Sequence, residues 1–259
     1  MDWNSRRPLP VYEPFRPHST AYSRIYTCRV ARYKDAVRID RCGADDSQMG
    51  EYDLLPSKIV GVGVNYRAHA LEMNKPIPKE PLIFLKPPSA IIASNCPIRL
   101  PGGYKRVDFE AELGVVIGKK CAQISQEKAL DVVLGFVCVN DVTVRDLQRS
   151  DGQWTRAKGF DTFCPIGPRI VCGSSPSDLQ IVARVNGETR QCSSTADMIF
   201  SVPEIISFVS HVMTLEEGDV ITTGTPQGVG KLSPGDVVEI EVETIGTLRN
   251  PVEAAIERN

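Results

Sequence analysis

Asp108-Phe109-Glu110-Ala111-Glu112 runs straight into the apolar stretch Leu113-Gly114-Val115-Val116-Ile117. Side chains alternate along a strand, so an extended segment turns Asp108, Glu110 and Glu112 to one face. Like charges packed together are unfavourable unless something positive sits among them. Carboxylates converging on one point suit a hard divalent cation such as Mg²⁺, which prefers oxygen ligands. The plain alternative is a solvated acidic face on an edge strand. Two features favour a metal site instead. The stretch that follows has a buried-strand pattern, and Asn140-Asp141 supplies another carboxylate at the end of a second apolar run, Val132 to Val139.

The chain has 259 residues, room for one large domain or a main domain with a small appendage. A net charge of -2 with no basic block argues against nucleic acid as a partner. The apolar runs are too short to span a bilayer, and no signal-peptide pattern opens the chain. The eight cysteines are scattered without a C-x-x-C pair. Reduced, mostly buried thiols and a cytoplasmic location are therefore expected.

Residues 1–20 are proline-rich and read as an extended arm. Residues 24–41 alternate at Ile25, Thr27, Arg29 and Ala31, which predicts a short strand pair, broken at Gly43 to Gly50. The expected division is thus 1–55, an arm with a small β element, and 56–259, the main domain. Ser57 to Val64 predicts a buried strand whose glycines admit a close neighbour. A short helix over Tyr66 to Met73 and a Pro-rich loop over Asn74 to Pro81 follow. Further strands are predicted at Leu113–Ile117, Leu134–Val139 and Leu179–Val185, with Asn186-Gly187 as a type I′ turn. Ser201-Val-Pro-Glu204 is a capping box that opens a helix with Ile205, Val209 and Val212 on one side. Val237 to Glu243 reads as the closing strand. Strands outnumber helices without alternating regularly with them, so the fold class is α+β or a β-rich roll.

Gly224-Thr225-Pro226-Gln227-Gly228-Val229-Gly230-Lys231 fails the phosphate-loop spacing, and Gly61-Val62-Gly63 lacks the third glycine of a dinucleotide fingerprint. Either a purely structural turn or a turn presenting Thr225 to a ligand fits the first of these. Of the three histidines, His18 lies in the arm and His211 late in the capped helix. His69 differs, because Glu72 at i+3 shares its helical face. That pair is either a surface ion pair or a general base oriented by a carboxylate. Asp141, Arg145, Gln148 and Lys158 fall in one polar stretch. Arg145 and Gln148 have the chemistry to recognise a carboxylate, and Lys158 to neutralise an enolate.

These blocks together resemble the fumarylacetoacetate hydrolase family. The resemblance rests on Val62 to Met73 (G-x-N-Y-x-x-H-x-x-E-M), Phe84-Leu85-Lys86-Pro87, Asp108 to Gly114, Asn140 to Gln148, Trp154 to Asp161, Met198 to Ser201 and Thr223 to Gly230. It covers roughly residues 56–256. It implies a mixed β-roll or β-sandwich catalytic domain, usually a homodimer, from which the short N-terminal element departs. It also implies Mg²⁺ or Mn²⁺ on Glu110, Glu112 and Asp141, and His69 with Glu72 acting on water beneath a lid that includes Asn74 to Glu80. Arg145, Gln148, Lys158 and Thr225 would hold the substrate. The expected substrate is a small 2-oxo or 2,4-dioxo acid that chelates the cation and yields an enolate when its C3–C4 bond breaks. Acylpyruvate-type hydrolysis and oxaloacetate decarboxylation both fit. An isomerase or decarboxylase of 2-hydroxyhepta-2,4-diene-1,7-dioate-type diacids is the alternative, and a non-catalytic ligand-binding protein a third.

Overall fold

The structure, a computed structural model, describes residues 37–43, 50–74 and 76–254. The arm 1–20 with His18, the alternation at Ile25 to Ala31, most of the break between Gly43 and Gly50, and Lys75 of the expected lid lie outside the described residues.

The fold is α+β, built on a mixed nine-stranded sheet. Its path runs Gly50–Leu54, Val37–Gly43, Cys164–Cys172, Val133–Asn140, Ala111–Ile117, Val220–Thr222, Ile59–Gly63 and Leu82–Lys86, with Ile91–Ile92 pairing beside it onto Cys164–Cys172. A five-stranded sheet, Glu188–Ser194, Gln180–Val185, Val237–Val242, Gly246–Ala254 and Ile98–Leu100, packs against it. Alternation sorts the core. Leu113, Val115 and Ile117 bury toward Ile181, Ala183, Ile240 and Leu248 of the second sheet. Val116 joins Val137, Val139, Ile166 and Val220 on the opposite face. A sheet covered on both faces explains why its strands read as nearly continuous apolar runs.

Local signals account for several joints. Asn186 and Gly187 have φ of 53° and 80°, as a type I′ turn requires, and Val185 pairs with Glu188 across it. The Ser201–Glu204 capping box is formed and opens the helix Val202–Val212. A Cβ on Gly61 would lie 2.1 Å from the Phe84 ring, and one on Gly63 would lie 2.4 Å from Trp154. Those two glycines admit the aromatic pair against the strand.

The structure differs from expectation in four places. The acidic motif is not one strand. Val107–Phe109 belongs to a small sheet with Thr143–Val144 and Gly230–Lys231, and the chain changes sheets at Glu110. Val212 is 56% exposed rather than facing the core, because it lies in the last turn, beyond the packed Ile205 and Val209. Gly246–Ala254 forms a final strand beyond Val237–Val242 despite Pro251. Pro251 sits just before Val252, where the pairing with Ile98 begins, so its missing N–H costs that ladder nothing. Finally, Cys121, Cys138, Cys164, Cys172 and Cys192 are free thiols, whereas Cys96 is disulfide-bonded.

Candidate active site

Strand pairing brings the site together. Ala111 lies opposite Asn140, Thr222 opposite Gly114, and Gly61 beside Thr222. The start of Ala111–Ile117 therefore meets the ends of Val133–Asn140, Val220–Thr222 and Ile59–Gly63. Just past those ends stand Asp141, Thr225 and the helix Arg67–Glu72, which carries His69. The crossing at Glu110 is pinned by Asn140, whose Oδ1 accepts from Glu110 N at 3.0 Å, while Asp141 N donates to Glu110 O at 3.0 Å.

Glu110, Glu112 and Asp141 are all buried, and each offers an oxygen within 4.8 Å of the others'. Lys158 Nζ donates to Glu110 Oε2 at 3.0 Å, Asp141 Oδ2 at 2.6 Å and Thr143 Oγ1 at 2.8 Å. Arg145 Nη2 donates to Glu110 Oε1 at 2.6 Å, and its Nη1 to Gln148 Oε1 at 2.8 Å. Glu112 is served differently. Gly224 N donates to its Oε2 at 2.8 Å, and it has no ion pair among the described residues. The electrostatics follow. Burial works to raise Glu110, but Lys158, Arg145 and His69 outweigh it and hold its carboxyl down to about 2. Burial, then Asp141 and Glu110, push Glu112 well above the usual carboxylate range. A buried all-oxygen donor set with one carboxylate lacking a counter-charge fits a hard divalent cation.

His69 is only 4% exposed, and its Nδ1 lies 2.9 Å from Glu72 Oε2, so the surface-pair reading fails for the imidazole. Glu72 Oε1 accepts in turn from Gly228 N at 3.1 Å. His69, Glu110, Glu112, Arg145, Gln148, Lys158 and Thr225 all line one cleft of about 300 Å³. Residues 76–80 form neither helix nor strand. Of the residues singled out from the sequence, Glu72 and Asp141 do not line the cleft; each touches it through a partner, His69 and Lys158.

Sequence reasoning assigned no role to several residues here. Lys86 is buried, and its Nζ donates to Asp141 Oδ1 at 2.5 Å. Asp108 belongs to the acidic motif but accepts from Arg145 Nε and Arg106 Nε, both at 2.8 Å, which aims Arg145. Gln191 Oε1 accepts from Ala111 N at 2.9 Å, and its Nε2 donates to Thr225 Oγ1 at 2.8 Å. Phe84 and Trp154 complete the wall, edge to face at 5.5 Å, with Lys158 Nζ 4.8 Å from the Phe84 centroid.

The profile of the fumarylacetoacetate (FAA) hydrolase C-terminal family matches residues 58–253, most of the chain. This protein belongs to the fumarylacetoacetate hydrolase family. It is 45% identical over 207 residues to a 2,4-didehydro-3-deoxy-L-rhamnonate hydrolase of Sphingomonas, over 75% of this chain and 73% of that one. It is 46% identical over 209 residues to a mitochondrial oxaloacetate tautomerase of Xenopus laevis, over 76% of this chain and 66% of that protein. The crystal structure of 2-hydroxyhepta-2,4-diene-1,7-dioate isomerase from Mycobacterium marinum superposes with a TM-score of 0.73 at 48% identity, over 81% of this chain and 79% of that one. The α+β fold of mixed sheets is thus the fold of the family, and the three relatives carry names of three activities. Among the described residues, no helix is long and apolar enough to cross a membrane.

Proposed function

We propose that this member is a divalent-metal-dependent enzyme that cleaves a C–C bond in 2-oxo or 2,4-dioxo acids, by acylpyruvate-type hydrolysis or oxaloacetate decarboxylation. One observation carries the reading: a buried carboxylate triad and an imidazole paired with a carboxylate meet at a single cleft. Glu110, Glu112 and Asp141 would hold Mg²⁺ or Mn²⁺, which when bound supplies Lewis-acid stabilisation to developing oxyanion charge.

The chain's own residues do the rest. Arg145 and Gln148, already joined to each other, present N–H donors to a substrate carboxylate. Thr225, fixed by Gln191, offers its hydroxyl beside them. Lys158 neutralises an enolate oxygen. With Nδ1 engaged by Glu72, His69 Nε2 is the nitrogen left to accept a proton from water. The hydroxide so formed adds to C4 of a 2,4-dioxo acid and the C3–C4 bond breaks. C3 takes a proton, leaving one carboxylic acid and one pyruvate-type acid. The assembly we assign is a cytoplasmic homodimer. The family resemblance supports the dimer and five free thiols among the described residues support the compartment, with the Cys96 disulfide against the latter.

Keto–enol isomerisation is the second reading. It needs proton transfer without water attack, and the ammonium and imidazole lining one cleft favour it. Incubating acetylpyruvate, fumarylpyruvate and oxaloacetate with protein and Mg²⁺, and identifying the products, separates the two. Acetate with pyruvate supports hydrolysis; enol–keto exchange alone supports the second reading.

A further inference from the structure

Phe84 and Trp154 line not only the catalytic cleft but also a second, larger groove of about 920 Å³. Both residues belong to the lining of each space, so the two adjoin at the aromatic pair. The outer groove is otherwise lined by apolar Leu82, Ile83, Leu85 and Met213 and by the uncharged Gly152, Gln153 and Thr155. Leu82 and Leu85 remain 46% and 43% exposed, on the edge strand of the large sheet. No charged side chain among the described residues lines it.

The charged groups Arg145 and Lys158 line the catalytic cleft and not the groove. Arg145 is engaged by Asp108, Glu110 and Gln148, and Lys158 by Glu110, Asp141 and Thr143. We propose that the outer groove is the subsite for the substrate's acyl tail, and that preferred substrates are 2-oxo acids whose far end is neutral and apolar. This rests on the enolate chemistry proposed above and narrows its substrate class. A second carboxylate entering the groove loses its water and gains no cation, whereas an alkyl or aryl group gains by leaving water. The aromatic pair suits such a tail, and Gly61 and Gly63 seat both rings where no Cβ would fit.

The test compares acetyl-, butanoyl- and hexanoylpyruvate with fumarylpyruvate, a diacid, in the presence of Mg²⁺. The expected kcat/KM rises about fourfold for each methylene buried, the factor equivalent to ~0.8 kcal/mol per CH₂. Fumarylpyruvate should fall below butanoylpyruvate by about tenfold. Leu85→Arg, at an exposed position, should flatten the chain-length series and raise fumarylpyruvate turnover. A flat series in the unmodified protein, or a preference for fumarylpyruvate, overturns the subsite while leaving the enolate reading intact. So does a Leu85→Arg variant that changes the oligomeric state with the series unaltered, which would make the groove an interface between copies. Turnover of oxaloacetate but of none of these acids overturns the subsite alone, and no turnover of these acids or of oxaloacetate removes the enolate reading and the subsite with it.

Discussion

Lys158 Nζ donates to Asp141 Oδ2 at 2.6 Å, with both side chains buried. The same ammonium reaches Glu110 Oε2, so one lysine neutralises two members of a carboxylate triad while Glu112 is left without a cation. Burial works to lower Lys158, but Asp141 and Glu110 outweigh it and raise it, so the ammonium stays charged. A divalent ion on the triad would compete with this internal cation.

Removing the competitor should therefore tighten metal binding. In Lys158→Met, the Kd for Mg²⁺ measured by calorimetry should fall by about tenfold or more, since a unit charge a few ångströms away is worth several kcal/mol at an effective dielectric near 20. Turnover should fall at the same time. Weaker Mg²⁺ binding in this variant would contradict the competition.

Metal affinity should rise with pH. Burial, Asp141 and Glu110 raise the Glu112 carboxyl above its ordinary 4.5, so the free site holds a proton over a wider range than a free carboxylate would. A protonated carboxyl is no ligand, so binding displaces that proton. Affinity should climb as pH rises through the shifted Glu112 range and level off once the free carboxyl is ionised. Calorimetry in two buffers of different ionisation enthalpy should detect the released proton; a pH-independent affinity without proton release would contradict the assignment.

Gly63→Ala places a Cβ 2.4 Å from Trp154 Cζ3 and should destabilise the fold by roughly 1–3 kcal/mol, the usual scale for overpacking. Trp154 must move off the cleft wall, so KM should rise as well. Gly50→Ala, where nothing among the described residues lies within 4 Å, is the control and should leave Tm and KM nearly unchanged.

Patterns of short range were legible in the sequence. Alternation turned Glu110 and Glu112 to one place, Asn140-Asp141 marked a strand end, and the Ser201–Glu204 box and Asn186-Gly187 turn carried their own geometry. What failed depends on distant partners. Lys86 lies 55 residues from Asp141, and Gln191 lies 80 from Ala111. No local pattern tells a buried counter-charge or buried amide from a surface one. The change of sheet at Glu110 was hidden for a related reason, since period-2 alternation persists through a break whose cause is a hydrogen bond to Asn140. The last strand was missed because Pro251 reads as a breaker until its neighbour's register is known.

His69→Ala should separate the two modes of C–C cleavage. Water attack at C4 needs a base, so acylpyruvate hydrolysis should drop by a factor of roughly 10² or more. Oxaloacetate decarboxylation needs no activated water and should fall less. Retention of hydrolysis with metal bound would reduce the His69–Glu72 pair to a structural contact.

The most direct test follows acetylpyruvate cleavage in chelator-treated protein as Mg²⁺ or Mn²⁺ is added back, beside Glu112→Gln under the same conditions. Glu112 has no ion pair to lose among the described residues, so this variant should melt close to the parent and still fail to respond to metal. The expected result is no cleavage after chelation, saturable recovery of acetate and pyruvate with either ion, and no recovery in Glu112→Gln. Cleavage that survives chelation, or a Glu112→Gln variant that recovers with the parent's metal dependence, would contradict it.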